Sequence, residues 1–347
     1  MTTTYIGTTF PLNQQYGRDE QAVVGSVRQQ VDAKFTTGKN LVINTTWFGP
    51  QFSNGSWKSL QELIVSGQQY DRLFLIIVID PIYVSDDEIV KITKSLGITE
   101  TYIMGHRTNS PYYFNFESMV LAQHCPRYTE EQLMMRLPEY VFLCYQRKPR
   151  RHRVELMQQL SNLQLTNQGI ITLGENNDQF NWSEDLSAPS VKLDEPVDTI
   201  NPPTDNSSFG IVNDLCSIGR LDIWQKHFLN VVSETEFNNW HDLFVSEKTF
   251  KPLLGLRPFV IHGQTAVYKF LSDNGFKTFN QYWEGIEPES GMDQIGDIVK
   301  IIQLLCKKSR QELFSMYQDM LPDLEYNKNR FFEFAKEQQY KIENLFK

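Results

Sequence analysis

The sequence predicts an α/β protein with two consecutive domains, each a parallel sheet flanked by helices, and a cleft between the domains. The chain has 347 residues, enough for two domains of about 150 residues each. The run from Leu73 to Asp80 is apolar and rich in β-branched residues until its last position. Such a run is typical of a strand that is covered on both faces, as in a parallel sheet. A second alternation of strand and helix patterns begins at Tyr140.

The first alternation predicts four strands and a helix. The helix covers Ala22 to Phe35, where apolar residues recur with a period close to 3.6. The adjacent Asp86 and Asp87 are typical of a helix start, and their spacing does not suit metal chelation. The predicted strands are TTTYIGTTF at the N-terminus, Asn40 to Thr45, Leu73 to Asp80 and Thr101 to Met104.

The second alternation predicts a further four strands and several helices. The strands are Tyr140 to Tyr145, Gly169 to Leu173, Phe228 to Val232 and Pro258 to Ile261. The helices are Arg150 to Leu163, Ser246 to Leu256, one that starts after Gly263, and three at the C-terminus over Asp293 to Lys307, Ser309 to Met320 and Tyr326 to Phe346. The polar passage from Glu175 to Gly210 is predicted to be a long loop or insertion.

Composition disfavours several classes of protein. Acidic residues outnumber basic ones by 42 to 33, for a net charge of −9, so the chain as a whole is poorly suited to nucleic acid or anionic lipid. Its four cysteines form no metal-binding or disulfide pattern. The N-terminus lacks a signal-peptide pattern, and the longest apolar run is too short to span a membrane. We therefore expect a cytoplasmic protein without a membrane span, in the host cytoplasm if it is viral.

The first candidate ligand-binding motif is Ser246, Glu247 and Lys248 at a predicted helix start. Backbone N–H groups there favour an anion such as phosphate, and Lys248 adds a full charge. A carboxylate such as Glu247 is what a ribose diol needs as a hydrogen-bond acceptor. Ordinary helix capping, with Glu early in the helix and Lys later, is the alternative explanation for the same residues. Gln264 follows Gly263 at a strand end, where a glycine allows either a close approach to a ligand or a tight turn.

The second candidate motif is a basic cluster between a predicted strand and helix. It comprises Arg147, Lys148, Arg150, Arg151, His152 and Arg153. Basic residues at the carboxyl end of a parallel strand point into the crevice where α/β sheets bind ligands, and Arg suits pyrophosphate oxygens. A solvated positive patch or a nucleic-acid stripe is the alternative. In an acidic chain, the cluster favours an anionic ligand.

These residues carry a resemblance to a known family. The segments NVVSETEF, FVSEKTFKPLLGLRPFVIHG and NGFKTF, between Asn230 and Phe279, resemble the donor-binding half of nucleotide-sugar glycosyltransferases with two Rossmann-like domains, the GT-B type. They are similar to fucosyltransferase-like and exostosin-like sequences of viruses and bacteria. The junction from Gln146 to Arg153 matches the pattern Asn-Arg-x-x-Arg-x-His-Arg of those sequences, with Gln146 in place of Asn. The matches cover roughly 75 residues, and the chain before Gln146 shows no such resemblance.

The resemblance implies an acceptor-side domain over residues 1–137, a donor-side domain over 138–325 and a C-terminal helix over 326–347 that packs back across both. It implies that Glu247 holds the ribose and that Lys248, with Arg150 or Arg153, holds the diphosphate without a metal or cofactor. The remaining donor-binding candidates are Arg147, Glu234, Ser246 and Gln264. We expect Asp80, at a strand end before Pro81, to be the catalytic base. A role as a turn former is the alternative for Asp80, and His106 and Glu117 are its rivals.

The expected activity is transfer of a sugar from a UDP- or GDP-sugar to a hydroxyl group. The acceptor is a glycan or lipid-linked saccharide, or a hydroxymethylated base in DNA, which the net charge disfavours. A non-catalytic nucleotide- or sugar-binding protein is the alternative from another class. An Arg-rich nucleic-acid binder is a third, although the chain lacks the basicity that such proteins need. The oligomeric state is left open.

Overall fold

The computed structural model describes residues 2–7, 15–44, 69–78, 85–106, 108–146, 150–173, 218–219, 221–237, 243–288 and 293–347. The polar passage from Glu175 to Gly210 lies outside these ranges. The chain divides into two compact units. The first contains residues 1–120, 239–244 and 334–347, and the second contains residues 121–238 and 245–333.

The first unit contains a parallel sheet whose five strands follow one another in chain order. The strands are β1 (Thr2–Gly7), β2 (Lys39–Asn44), β3 (Arg72–Ile77), β4 (Glu100–Gly105) and β5 (Tyr112–Tyr113). The helices are α1 (Gln15–Lys34), α2 (Asp86–Ser95) and α3 (Phe116–His124), the last of which ends in the second unit.

Strand β3 is buried on both faces, as its apolar run predicts. On one face, Leu73 and Leu75 pack in a cluster with Ile89 of α2. On the other face, the ring of Phe74 lies 4.9 Å from that of Phe35 and 5.9 Å from that of Phe346. Apolar side chains from both directions therefore cover this parallel sheet, which confirms the predicted α/β class.

The second unit contains a parallel sheet of four strands. They are β6 (Tyr140–Cys144), β7 (Gly169–Ile171), β8 (His227–Ser233) and β9 (Phe259–His262). The helices begin with α4 (Glu130–Leu133), α5 (Arg151–Asn162), α6 (Leu221–Trp224) and α7 (Glu247–Leu254). They continue with α8 (Ala266–Asp273), α9 (Gln294–Cys306) and α10 (Arg310–Glu343), the last of which ends in the first unit. Two short 3₁₀ turns lie at Thr166–Gln168 and Asn280–Tyr282.

The strand order in this second sheet is β7-β6-β8-β9. From β6 the chain moves outward through α5 to β7, whereas from β8 it moves in the opposite direction through α7 to β9. Right-handed crossovers in opposite directions place α5 and α7 on opposite faces of the sheet. The order therefore reverses between β6 and β8, which is the topological switch point of a Rossmann-like sheet.

The predicted break between two C-terminal helices is wrong, because α10 is one helix with Pro322 inside it. A proline within a helix removes one backbone hydrogen bond and costs about 3 kcal/mol. The buried side chains of Met320, Leu324 and Phe331 continue on one face through the proline. Their packing offsets the local cost, so the helix persists across the segment that the sequence indicated as a break.

Candidate functional site

The candidate site lies at the carboxyl edge of the second sheet, where the strand order reverses. In open α/β sheets, ligands bind in the crevice outside the strand ends at such a reversal. Among the described residues predicted to bind the donor, Arg150 and Arg153 follow β6 and Gln264 follows β9. The others follow β8 and are Glu234, Ser246, Glu247 and Lys248.

Glu234 follows β8 directly and is fully buried. Its carboxylate accepts hydrogen bonds from the hydroxyls of Ser246 (2.6 Å) and Thr249 (2.6 Å) and from the backbone N–H groups of Thr235 and Ser246 (both 3.2 Å). Hydrogen bonds to an ionised acceptor are about twice as strong as neutral ones. Glu234 therefore fastens the start of α7 to the end of β8.

This internal carboxylate changes the interpretation of the α7 N-terminus. Ser246 is the N-cap residue, and its hydroxyl accepts a hydrogen bond from the N–H of Lys248 (3.3 Å). The N–H of Thr249 donates to the carbonyl oxygen of Ser246 (3.2 Å). The sequence predicted a ligand anion at this helix start, but the anion that Ser246 binds is Glu234 itself. Positive charge for a ligand must therefore come from side chains.

Gly263, after β9, provides space for Glu234. A Cβ atom at Gly263 would lie 2.7 Å from Cβ of Glu234, closer than real Cβ contacts allow. The Gly263 N–H donates to Oε1 of Gln294 (3.1 Å). The close approach that the sequence suggested at this glycine is thus an approach to Glu234. Gln264 is buried, and its N–H donates to the carbonyl oxygen of Glu236 (3.2 Å).

Glu247 and Lys248 form an ion pair in the first turn of α7, with Nζ and Oε1 2.7 Å apart. The Glu247 side chain is 3% exposed and that of Lys248 is 29% exposed. Burial alone would raise the pKa of Glu247, but the charges of Lys248 and Lys251 outweigh it and hold that pKa below its ordinary value. The pair therefore offers an ionised hydrogen-bond acceptor beside a partly exposed cation.

The basic cluster divides into two kinds of arginine. Arg150 precedes α5 and is 25% exposed; its Nη1 donates to the carbonyl oxygen of Thr235 (2.7 Å) and pairs with Oε1 of Glu236 (3.1 Å). Arg153 is buried, and its Nη2 donates to the carbonyl oxygens of Ser233 (3.1 Å) and Glu234 (2.9 Å). Arg150 is thus the more accessible cation, whereas Arg153 braces the end of β8.

Two buried histidines support the same strand end. The ring of His152 stacks on Phe237 at 5.0 Å, and Nδ1 of His262 lies 3.1 Å from the hydroxyl of Ser233. Burial and the charge of Arg153 lower the pKa of His152 to about 3. Burial, with the nearby His152 and Arg153, lowers the pKa of His262 well below its ordinary value. Both rings are therefore neutral near pH 7 and act as packing and hydrogen-bonding groups.

Not every predicted residue lies among those that the structure describes. Asp80 and Arg147 fall outside the described residues, so their roles stay predictions. In the first unit, the rivals of Asp80 are both buried: His106 follows β4 and Glu117 lies in α3.

Sequence reasoning missed Thr249, Glu236 and a polar pair in the first unit. Thr249 stands three residues after the cap Ser246, and this spacing places both hydroxyls on the same side of the helix start, where they share the Glu234 carboxylate. In the first unit, Nδ2 of Asn44 donates to Oε1 of the fully buried Glu20 (3.4 Å). The signal for Glu20 was its place in the apolar stripe that continues through Val24, Val27 and Val31.

Two remaining features of the described residues concern metal binding and membrane spanning. As predicted, Asp86 and Asp87 lie at a helix start, in the first turn of α2; Ser85 is the N-cap residue of this helix. Within the described ranges, no group of three or more His, Cys, Asp or Glu side chains is arranged to hold a metal ion. Among the helices described, none combines the length and apolar character needed to cross a bilayer.

Comparisons of the chain with protein-family models, with curated proteins and with solved structures find no match. The resemblance to glycosyltransferases therefore stays an expectation that rests on the sequence motifs alone.

Proposed function

We propose that the protein is a glycosyltransferase that moves a sugar from a UDP- or GDP-sugar to a hydroxyl group, with the donor bound at the carboxyl edge of the second sheet. The observation that carries the proposal is the Glu247–Lys248 pair at the start of α7, beside a strand-order reversal. A carboxylate for a diol and a cation for a phosphate, at the place where α/β sheets bind nucleotides, fit a nucleoside diphosphate.

In this proposal, Glu247 accepts hydrogen bonds from the ribose hydroxyls. Lys248 and Arg150 neutralise the diphosphate, and both side chains are partly exposed. The bond between the sugar carbon and the phosphate oxygen breaks, and the diphosphate departs with that electron pair. Cations beside the departing oxygens stabilise the charge that develops there, which is the principal requirement of the reaction.

The acceptor hydroxyl attacks the same sugar carbon and must lose its proton. A carboxylate or imidazole within hydrogen-bond reach of that hydroxyl would take the proton. Asp80 remains our first candidate for this base, with His106 and Glu117 as the alternatives. Asp80→Asn should abolish transfer while leaving donor binding intact, and near-normal turnover in this variant would exclude Asp80.

Binding is tested by a thermal-shift screen with UDP, GDP, ADP and CDP. A ligand present at about 100 times its dissociation constant adds about 2.7 kcal/mol to stability. We expect UDP or GDP to raise the melting temperature, and the double variant Glu247→Gln, Lys248→Met to abolish that shift. The matched control is Lys269→Met, which changes a lysine that is 78% exposed on α8. A shift that survives the double variant would contradict the proposed site.

Catalysis is tested by incubation with UDP-glucose, UDP-galactose, GDP-mannose and GDP-fucose. A transferase should slowly hydrolyse one of these donors without an acceptor. Binding without any hydrolysis or transfer would instead favour the non-catalytic alternative. A DNA acceptor would show as an affinity for duplex that falls steeply with salt; without such an affinity, a glycan acceptor is favoured.

A further inference from the structure

Gln146 stands at the switch point of the second sheet, just after β6. Its backbone is held on both sides by one hydroxyl group. The N–H of Gln146 donates to Oγ1 of Thr172 (2.8 Å), and the same hydroxyl donates to the carbonyl oxygen of Gln146 (3.0 Å). The main chain is therefore anchored at this strand end, and only the side chain of Gln146 is left to rearrange.

The side chain of Gln146 is buried, and its polar groups are poorly satisfied. The residue is 3% exposed. Its Nε2 donates to Sγ of Cys144 (3.0 Å), while Oε1 has no hydrogen-bond partner among the residues that the structure describes. Burial raises the pKa of the Cys144 thiol to about 12, so the sulfur is uncharged and only a weak acceptor. An unpaired buried carbonyl oxygen is unfavourable and calls for a physical explanation.

We propose that Oε1 of Gln146 accepts a hydrogen bond from a hydroxyl group of the transferred sugar, which makes Gln146 a determinant of donor specificity. This inference rests on the proposed function. A neutral amide oxygen suits a neutral hydroxyl donor and repels phosphate oxygens. Turning the amide toward a ligand gives up only the weak contact with sulfur.

The position of Gln146 favours the sugar over other parts of the donor. Gln146 lies on the β6 side of the crevice, in the same connection as Arg150, which we assign to the diphosphate. The proposed ribose partner Glu247 lies on the other side, at the start of α7. The neutral amide of Gln146 lies on the β6 side, next to Arg150, the cation proposed to bind the diphosphate. It is therefore placed to contact the sugar that the diphosphate carries.

The test is Gln146→Met, which keeps the side-chain length and removes both polar atoms. Because the oxygen has no hydrogen-bond partner among the described residues, the melting temperature without ligand should not fall. Affinity for UDP or GDP, measured by calorimetry, should be unchanged. Affinity for the matching nucleotide sugar from the donor panel should fall about 3- to 10-fold, as expected for one lost hydrogen bond. Gln158→Met, at an exposed position of α5, is the matched control.

Three results would overturn the inference. Equal weakening of nucleotide and nucleotide-sugar binding would place Gln146 against the nucleotide. A fall in the melting temperature or a failure to fold would make the amide a structural group. Unchanged binding of the nucleotide sugar would remove its role altogether. If the wild-type protein binds no nucleotide, the proposed function itself fails, and that outcome is distinct from a wild type that binds while Gln146→Met behaves normally.

Discussion

The hydrogen bond between Thr249 and Glu234 gives the sharpest test of how the site is assembled. Thr249→Val keeps the shape of a fully buried side chain but removes the hydroxyl that donates to Oε1 of Glu234 at 2.6 Å. A hydrogen bond to a charged group contributes about 1.5–3 kcal/mol. We expect Thr249→Val to lower the free energy of unfolding by that amount, out of the total of about 5–15 kcal/mol typical of folded proteins.

Glu234→Ala should have a larger effect, because it leaves two hydroxyls and two N–H groups without their acceptor. We expect a loss of about 3–5 kcal/mol, as when one partner of a buried charged contact is removed. In this background the Thr249 hydroxyl has lost its acceptor. Thr249→Val should then cost nothing or even stabilise the protein.

Urea denaturation of the wild type, both single variants and the double variant measures this coupling. Tryptophan fluorescence is a suitable signal, because Trp224 and Trp283 are buried in the second unit. The predicted coupling energy exceeds about 1 kcal/mol. If the two effects add within about 0.5 kcal/mol, the Thr249 hydroxyl does not act through Glu234, and the proposed link between the start of α7 and the end of β8 is refuted.

Three further predictions concern residues in and around the second sheet. Gly263→Ala would place Cβ 2.7 Å from Glu234 Cβ and should lower the free energy of unfolding by about 1–3 kcal/mol in urea titration. The control is Gly25→Ala, in open space on α1, which should stabilise the protein. If Gly25→Ala were the more destabilising variant, the close packing of Gly263 against Glu234 would be contradicted. Glu236→Gln removes the carboxylate that pairs with Arg150 and should tighten UDP or GDP binding about 2- to 5-fold in calorimetry, since a partly exposed ion pair contributes up to about 1 kcal/mol. Weaker binding would show that Glu236 does not compete with the diphosphate for Arg150. Three buried histidines have lowered pKa values, so below pH 6.5 the unfolded chain binds protons that the native state does not. They are His152, His227 and His262, whose pKa values burial lowers. His152, with a pKa of about 3, should alone remove about 1.4 kcal/mol of stability between pH 7.5 and pH 5.5. His227 and His262 should change stability in the same direction, and urea midpoints that do not change with pH would contradict this.

Local patterns in the sequence predict much of the fold. The apolar run of β3 and the helix start at Asp86 and Asp87 depend on neighbouring residues, and both predictions agree with the structure. The C-terminal break at Pro322 was predicted wrongly, because tertiary packing of α10 outweighs the local preference of proline.

The candidate site was predictable only in part. The sequence placed Glu234 and Ser246 in one site, but it could not reveal that they bind each other across a separation of 12 residues. The sequence also could not show that Arg150 is accessible while Arg153 is buried, because their burial depends on how α5 packs against β8. Motifs thus indicated the kind of residue, whereas the fold decided which of those residues remain accessible to a ligand.

Hydrogen–deuterium exchange with and without millimolar UDP or GDP tests the location of the nucleotide site most directly. We predict slower exchange in two segments, the N-terminal turns of α5 from Arg151 and those of α7 from Glu247, with little change in β1 to β3. A nucleotide that stabilises the protein while protecting only the first unit would contradict the assignment of the second sheet as the donor site.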